Sequence, residues 1–83
     1  MKHEGTLLSL KTNQEVQISG FSSRISPEYV MRLRELGFRE GEFVKCIKTP
    51  PMGAPRVFEV GGTVFSMESE VAKEIECVAH TRN

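Results

Sequence analysis

The side chains that could do chemistry in this sequence are two cysteines, two histidines and a set of glutamates, and aspartate is absent. Cys46 and Cys77 lie 31 residues apart and form no CxxC motif. His3 and His80 lie near the two ends of the chain, outside every predicted helix or strand. A nucleophile needs a base within hydrogen-bond reach, and the sequence offers neither such a pair nor a GxxxxGK[ST] phosphate loop. We therefore predict no catalytic residue and a protein that is not an enzyme.

Metal ligation is the second chemistry that these residues could support. Sites for Fe²⁺ favour histidine and carboxylate at close quarters, and no histidine falls within the predicted elements. Each cysteine shares a strand face with a hydrophobic residue, which is typical of a thiol packed in a core. We therefore expect no cofactor, two reduced thiols and a solvated acidic surface. The alternative is a weak site for Fe²⁺ or another divalent transition metal, for which the candidate ligands are Cys46, Cys77, Glu68 and Glu70.

Length and charge limit the other functions. The chain has 83 residues, which is the size of one domain, and we assign residues 1–83 to it. Lysine and arginine total 11 and the acids also total 11, so the formal net charge is zero. Nucleic-acid binding and polybasic membrane binding both need excess basic residues. Because no signal peptide or membrane-spanning run is visible, we expect a cytoplasmic protein that reaches a membrane only through a partner.

The clearest predicted element is a helix over residues 27–36. Ser26 is a favourable N-cap, and the proline that follows it suits the first helical position. Leu33 and Leu36 fall on the apolar stripe of this helix. Gly37 suits the left-handed residue that ends many helices, and this end makes Leu33 and Phe38 the two residues that touch in a Schellman motif.

Short strands account for most of the remaining chain. Alternating hydrophobic residues predict strands over 15–20, 42–49 and 75–79, and the prolines of 50–55 indicate a loop. Gly61-Gly62 supplies the backbone of a two-residue turn, so 56–67 is a hairpin in which Phe58 pairs with Phe65. One helical turn is expected over 69–73. We predict a mainly β fold, a small barrel of about five strands with the helix inserted, because closure limits exposed edges.

Three motifs carry a resemblance to a known family. They are Arg32-Leu33-x-x-Leu36-Gly37-Phe38-x-x-Gly41, then Pro51-x-Gly53-x-Pro55, then Phe65-Ser66-Met67 leading to Ala72 and Ile75. Over residues 7–79 the chain resembles the FeoA family of bacterial ferrous iron uptake. The resemblance implies an SH3-like β-barrel and an accessory role without catalysis. It also implies a partner, FeoB, a membrane iron transporter with a cytoplasmic GTP-binding domain, on which this chain would dock and whose transport it would modulate.

Two surfaces are candidates for the partner contact. The helix presents Met31, Arg32 and Arg34 off its apolar stripe. The proline-rich loop presents Pro51 and Met52, and a methionine between rigid residues loses little entropy on docking. Structural roles are expected for a further set, which is Leu33, Leu36, Gly37, Phe38, Gly41, Gly61 and Gly62.

The sequence departs from the family pattern at two places of interest. Asn13 stands where a glycine is usual, and asparagine tolerates a left-handed backbone. Glu68-Ser69 stands where basic residues are common, so the segment 59–76 carries five glutamates and one lysine. Two alternative functions stay open beside the accessory role. One is a module that binds or senses a transition metal, and the other is an SH3-like barrel that binds nucleic acid.

Overall fold

The structure is a computed structural model that describes residues 4–79. His3, His80 and the three residues after His80 lie outside the described residues, so the expectations about them stay predictions. A short 3₁₀ helix, Leu7–Ser9, follows the first strand. In chain order the other elements are β1 Glu4–Thr6, β2 Glu15–Phe21, α1 Pro27–Leu36, β3 Phe43–Lys48, β4 Arg56–Val60, β5 Thr63–Met67, α2 Ser69–Ala72 and β6 Ile75–Ala79.

The strands form one antiparallel sheet in the order β1-β6-β2-β3-β4-β5. The mainly β prediction is confirmed, and the sheet has six strands where about five were expected. The additional strand β1 has only three residues and pairs with β6. A segment of three residues is too short to show an alternation of apolar and polar residues. Its pairing also depends on β6, which lies at the other end of the chain. Irregular pairing in β2 and β3 bends the sheet around its core.

The β4–β5 hairpin has the predicted register. Phe58 pairs with Phe65, and Val60 pairs with Thr63 next to the two-glycine turn. Gly61 and Gly62 have φ values of 58° and 81°, which fit a type I′ turn whose twist matches that of the strands. Phe58 and Val60 are buried as a result, whereas the opposite face of the hairpin is exposed or half-buried.

Helix α1 has the predicted ends. The side chain of Ser26 accepts a hydrogen bond from the N–H of Tyr29 at 3.2 Å. Gly37 is left-handed with φ 114°, and the N–H of Phe38 donates to the carbonyl of Leu33 at 2.9 Å. These bonds are the N-cap and the Schellman end, and both Leu33 and Phe38 are buried.

One expectation about the helix is wrong, because Leu36 is 47% exposed. Among the residues of α1, only Leu33 is buried in the core. The chain reverses at Gly37, immediately after Leu36, and Phe38 enters the core there. The helix therefore contacts the core along a narrower stripe than the sequence pattern suggested.

The core lies inside the curved sheet and under α1. Leu7 and Leu10 are buried before β2. Asn13 is left-handed with φ 73°, the backbone that asparagine tolerates at a position where the family usually has glycine. Within residues 4–79, no helix is long and apolar enough to cross a membrane. The buried hydrophobic residues are Leu7, Leu10, Val16, Ile18, Leu33, Phe38, Val44, Cys46, Phe58, Val60, Met67, Ala72, Ile75 and Cys77.

Candidate partner-binding surfaces

The proline-rich loop between β3 and β4 presents Met52 to solvent. Its side chain is 98% exposed, and its backbone is left-handed with φ 65°. Gly53 is also left-handed, and the N–H of Ala54 donates to the carbonyl of Pro51 at 3.4 Å across the turn. A left-handed backbone costs a residue with a Cβ about 1–2 kcal/mol. The loop therefore holds an apolar side chain in water in a strained conformation, which is a recurrent property of functional positions.

A surface depression lies at the base of this loop. It has a volume of about 290 Å³ and is lined by Thr12, Ile47, Lys48, Thr49 and Pro50. The hydroxyls of Thr12 and Thr49 are 3.3 Å apart and tie the β3 end of the loop to the turn before β2. Pro50, Pro51 and this pair of hydroxyls restrict the part of the loop that precedes Met52. The depression offers a partner side chain both apolar and hydroxyl contacts.

The outer face of α1 is the second candidate surface. Met31 is 64% exposed and Tyr29 is 39% exposed, so two apolar side chains of the helix reach solvent. Arg32 is exposed, and no ion pair of Arg32 occurs among the described residues. The helix therefore presents an exposed methionine next to an exposed guanidinium, and their role in partner binding stays a prediction.

Arg34 differs from its neighbour Arg32 in being held within the molecule. Its guanidinium lies 2.7 Å from a carboxylate oxygen of Glu40 and 5.5 Å from the centre of the Phe21 ring. A hydrogen bond from the backbone N–H of Glu40, together with the Arg34 guanidinium, lowers the pKa of the Glu40 carboxyl. Arg34 is still about half exposed. Arg34 therefore fixes the end of α1, and only the exposed half of its side chain is available to a partner.

The two cysteines lie inside the core. Cys46 and Cys77 are both buried and both free. Burial raises the pKa of the Cys46 thiol, an effect that the charge of Arg56 partly offsets. Burial raises the pKa of Cys77 to about 11. The thiolate is the metal-binding and nucleophilic form, and a protonated thiol packed among hydrocarbon does not provide it at neutral pH.

The other metal candidates, Glu68 and Glu70, are on the surface at the start of α2. Glu68 is the N-cap residue and Glu70 lies in the first turn. Residues 4–79 contain no group of three or more histidine, cysteine, aspartate or glutamate side chains arranged to hold a metal. Glu68 and Glu70 are exposed whereas both thiols are buried, so these four side chains do not combine into one donor set.

Glu74 is a notable residue that the sequence reasoning missed. It is 8% exposed, and its Oε1 atom lies 3.4 Å from the guanidinium of Arg24. Among the described residues this oxygen has no hydrogen-bond partner. The carbonyl of Glu74 accepts a hydrogen bond from the N–H of Ser22 at 2.8 Å. Glu74, just after α2, thus contacts the segment between β2 and α1. The two segments are far apart in the chain, so no local pattern in the sequence indicates this contact.

Comparison with known proteins identifies the family. The model of the FeoA domain matches residues 5–79. The chain belongs to the FeoA family. Members of this family are named as ferrous iron transport proteins. No curated protein matches the sequence significantly.

Solved structures of FeoA proteins share the fold. The zinc complex of FeoA from Stenotrophomonas maltophilia, an SH3 domain protein, is 30% identical, with a TM-score of 0.75 over 87% of each chain. An iron uptake regulatory FeoA protein is 16% identical, with a TM-score of 0.80 over 90% of this chain and 96% of that one. The FeoA-like protein of Clostridium acetobutylicum is 20% identical, with a TM-score of 0.76 over 100% and 98%. The SH3-like prediction is therefore confirmed.

Proposed function

We propose that this FeoA-family chain is a non-enzymatic, cytoplasmic accessory protein that docks on the cytoplasmic part of a FeoB-type iron transporter and modulates transport. The observation that carries the proposal is Met52, an apolar side chain that is 98% exposed on a strained turn. Methionine is adaptable at binding surfaces, and the prolines beside it reduce the entropy lost on docking. The relative from Stenotrophomonas maltophilia is described as a candidate activating factor of bacterial ferrous iron transport.

A role in docking agrees with the chemistry of the chain. The buried thiols are protonated at neutral pH, and the exposed polar groups form no nucleophile–base pair among residues 4–79. The two surfaces described above instead offer exposed methionines, Met52 on the loop and Met31 on α1. Exposed methionines are common on surfaces that bind other proteins.

The test is a titration against the cognate transporter, with both its isolated cytoplasmic domain and the full-length protein in membranes. Met52→Ala and Met31→Ala are matched variants, because each removes the same side chain from a different surface. If the loop is the contact, Met52→Ala weakens binding by about tenfold or more and Met31→Ala leaves the affinity within about twofold. Failure of the unchanged protein to bind either form of the transporter would refute the proposed function.

Metal binding is the alternative function, and no observation on the described residues favours it. The zinc in the structure from Stenotrophomonas maltophilia belongs to that protein. Anaerobic titration with Fe²⁺ separates the two functions. Saturable binding at sub-millimolar metal that disappears in the Glu68→Gln, Glu70→Gln double variant would support the alternative.

A further inference from the structure

Strand β5 is an unprotected edge of the sheet. It pairs with β4 alone, and its register runs without a bulge. Its sequence TVFSM contains no charged residue and no proline. Protein sheets commonly protect an edge with lysine, proline, a bulge or a very short strand. The opposite edge follows this rule, because β1 has three residues, whereas β5 uses none of these devices.

The unpaired hydrogen-bonding groups of β5 belong to Val64 and Ser66. The type I′ turn at Gly61-Gly62 makes the pair that flanks it a hydrogen-bonded one. Bonded and non-bonded pairs alternate along an antiparallel ladder, so the N–H and C=O groups of Val64 and Ser66 point away from β4. Within residues 4–79, no main-chain hydrogen bond joins either residue to an element outside β4. An extended segment laid beside β5 would pair with these groups.

The side chains beside this edge define what the segment must carry. Val64 is 57% exposed on the outer face of the hairpin, and Glu59 lies directly across from it on β4. Cross-strand partners share a face of the sheet. A small apolar residue of the segment would cover Val64, and a long basic side chain would reach Glu59.

Charge then selects a basic segment over a neutral or acidic one. Glu68 follows β5 directly and Glu70 lies one turn further, and both are exposed. In the part of the chain that the structure describes, none of Glu59, Glu68 and Glu70 forms an ion pair. Lys45 lies across from Glu59 on the side away from the edge, so the edge side is left acidic. A second copy of the chain would bring the same acids and is disfavoured for that reason.

We propose that the β5 edge binds an extended segment of a partner protein that carries lysine or arginine beside a small apolar residue. The segment adds to the sheet next to β5, with main-chain bonds to Val64 and Ser66 and basic side chains toward Glu59 and Glu68. This surface is separate from the loop and helix surfaces of the proposed function. The occupant is defined by its chemistry, whichever protein supplies it.

The experiment uses the full chain and the short peptide Lys-Thr-Val-Thr-Lys-Thr-Val, which presents lysine and valine on one face of a strand. The control is the same peptide with glutamate in place of lysine. Amide exchange of Val64 and Ser66 is followed by NMR. Protection of both amides by the basic peptide alone, and loss of this protection in high salt, supports the proposal. No protection at millimolar basic peptide overturns it. Protection that grows with protein concentration and without peptide also overturns it, because a second copy then occupies the edge.

A pair of variants checks that the edge is the site. Val64→Lys adds a protective charge to β5, and Met31→Lys adds the same charge to a comparably exposed site on α1. We expect Val64→Lys to weaken basic-peptide binding by about tenfold or more and Met31→Lys to leave it within about twofold. Both proteins are first shown to be folded by their NMR dispersion. Equal affinities of the two variants contradict the proposal, and this outcome is independent of whether the transporter binds.

Discussion

The guanidinium of Arg34 bridges the end of helix α1 to Glu40, 2.7 Å away, while it also lies over the ring of Phe21. These contacts join the helix to the loop before β3 and to the end of β2. Arg32, two residues earlier on the same helix, has no ion pair among the described residues. The helix therefore offers a natural comparison between an arginine that holds the fold and one that faces outward.

Arg34→Gln is expected to lower the free energy of unfolding by at most about 1 kcal/mol, because exposed ion pairs contribute little. The matched variant Arg32→Gln should stay within about 0.5 kcal/mol of the unchanged protein. The sharper measurement is an NMR titration of Glu40. Its pKa should lie below 4.5 and rise part of the way back in Arg34→Gln, since its own backbone N–H also lowers it. An unchanged Glu40 pKa would show that Arg34 does not stabilise this carboxylate.

The sign of the pH effect follows from the direction of this shift. Because folding lowers the pKa of Glu40, the ion pair stabilises the fold above the ordinary pKa of 4.5. The contribution is lost as the pH falls through the lower pKa of the folded state. Denaturant unfolding of the unchanged protein and Arg34→Gln should therefore converge in stability at acid pH.

Gly37→Ala should destabilise the protein by about 1–2 kcal/mol, the cost of a left-handed backbone for a residue with a Cβ. The added methyl group itself has room, because its nearest neighbour, a methyl of Val60, is 3.6 Å away. The effect would then come from the φ of 114° and not from a clash. Gly37→Asn should destabilise the protein by less than Gly37→Ala does. Glu35→Ala, at an exposed position of the helix, should change the free energy of unfolding by no more than about 0.5 kcal/mol. Denaturant unfolding measures the stability of all three variants. Equal stability of Gly37→Ala and Glu35→Ala would show that the left-handed backbone at position 37 is not the cause.

Local patterns were enough to predict the helix ends and the hairpin. Ser26 and Gly37 act through the backbone within one turn of themselves, so their roles are visible in the sequence. The pairing of Phe58 with Phe65 follows from a two-residue turn that permits a single register. The exposed position of Met52 also follows from the prolines beside it.

Features that depend on distant parts of the chain were not predictable in the same way. Strand β1 exists because β6 lies beside it, and Arg24 meets Glu74 only after the sheet has formed. Leu36 fits an apolar stripe in the sequence but is exposed, because the chain reverses at Gly37 and Phe38 is buried in the core instead. The left-handed backbone of Met52 carries no sequence signal either, since methionine seldom adopts it.

Cys77 should make stability fall in alkaline solution. Folding raises the pKa of its thiol from 9.0 to about 11, so its contribution is complete below pH 9 and is lost as the pH rises toward 11. The measurement is denaturant unfolding across this range for the unchanged protein and for Cys77→Ala. The difference between the two proteins isolates the contribution of the Cys77 thiol from that of every other group. Identical pH profiles would show that Cys77 is not buried in solution.

Met52→Asn should leave the fold as stable as before or stabilise it by up to about 1 kcal/mol, because asparagine tolerates the left-handed backbone better than methionine does. Under the proposed docking function, the same change should also weaken binding to the transporter, because it removes the apolar side chain from the turn. Met31→Asn is the matched control, and it should lower stability by about 0.5 kcal/mol because asparagine is the poorer helix former. A rise in stability together with a loss of binding at position 52 would show that the strain is retained for docking. A loss of stability in Met52→Asn would instead show that the methionine packs against its own chain.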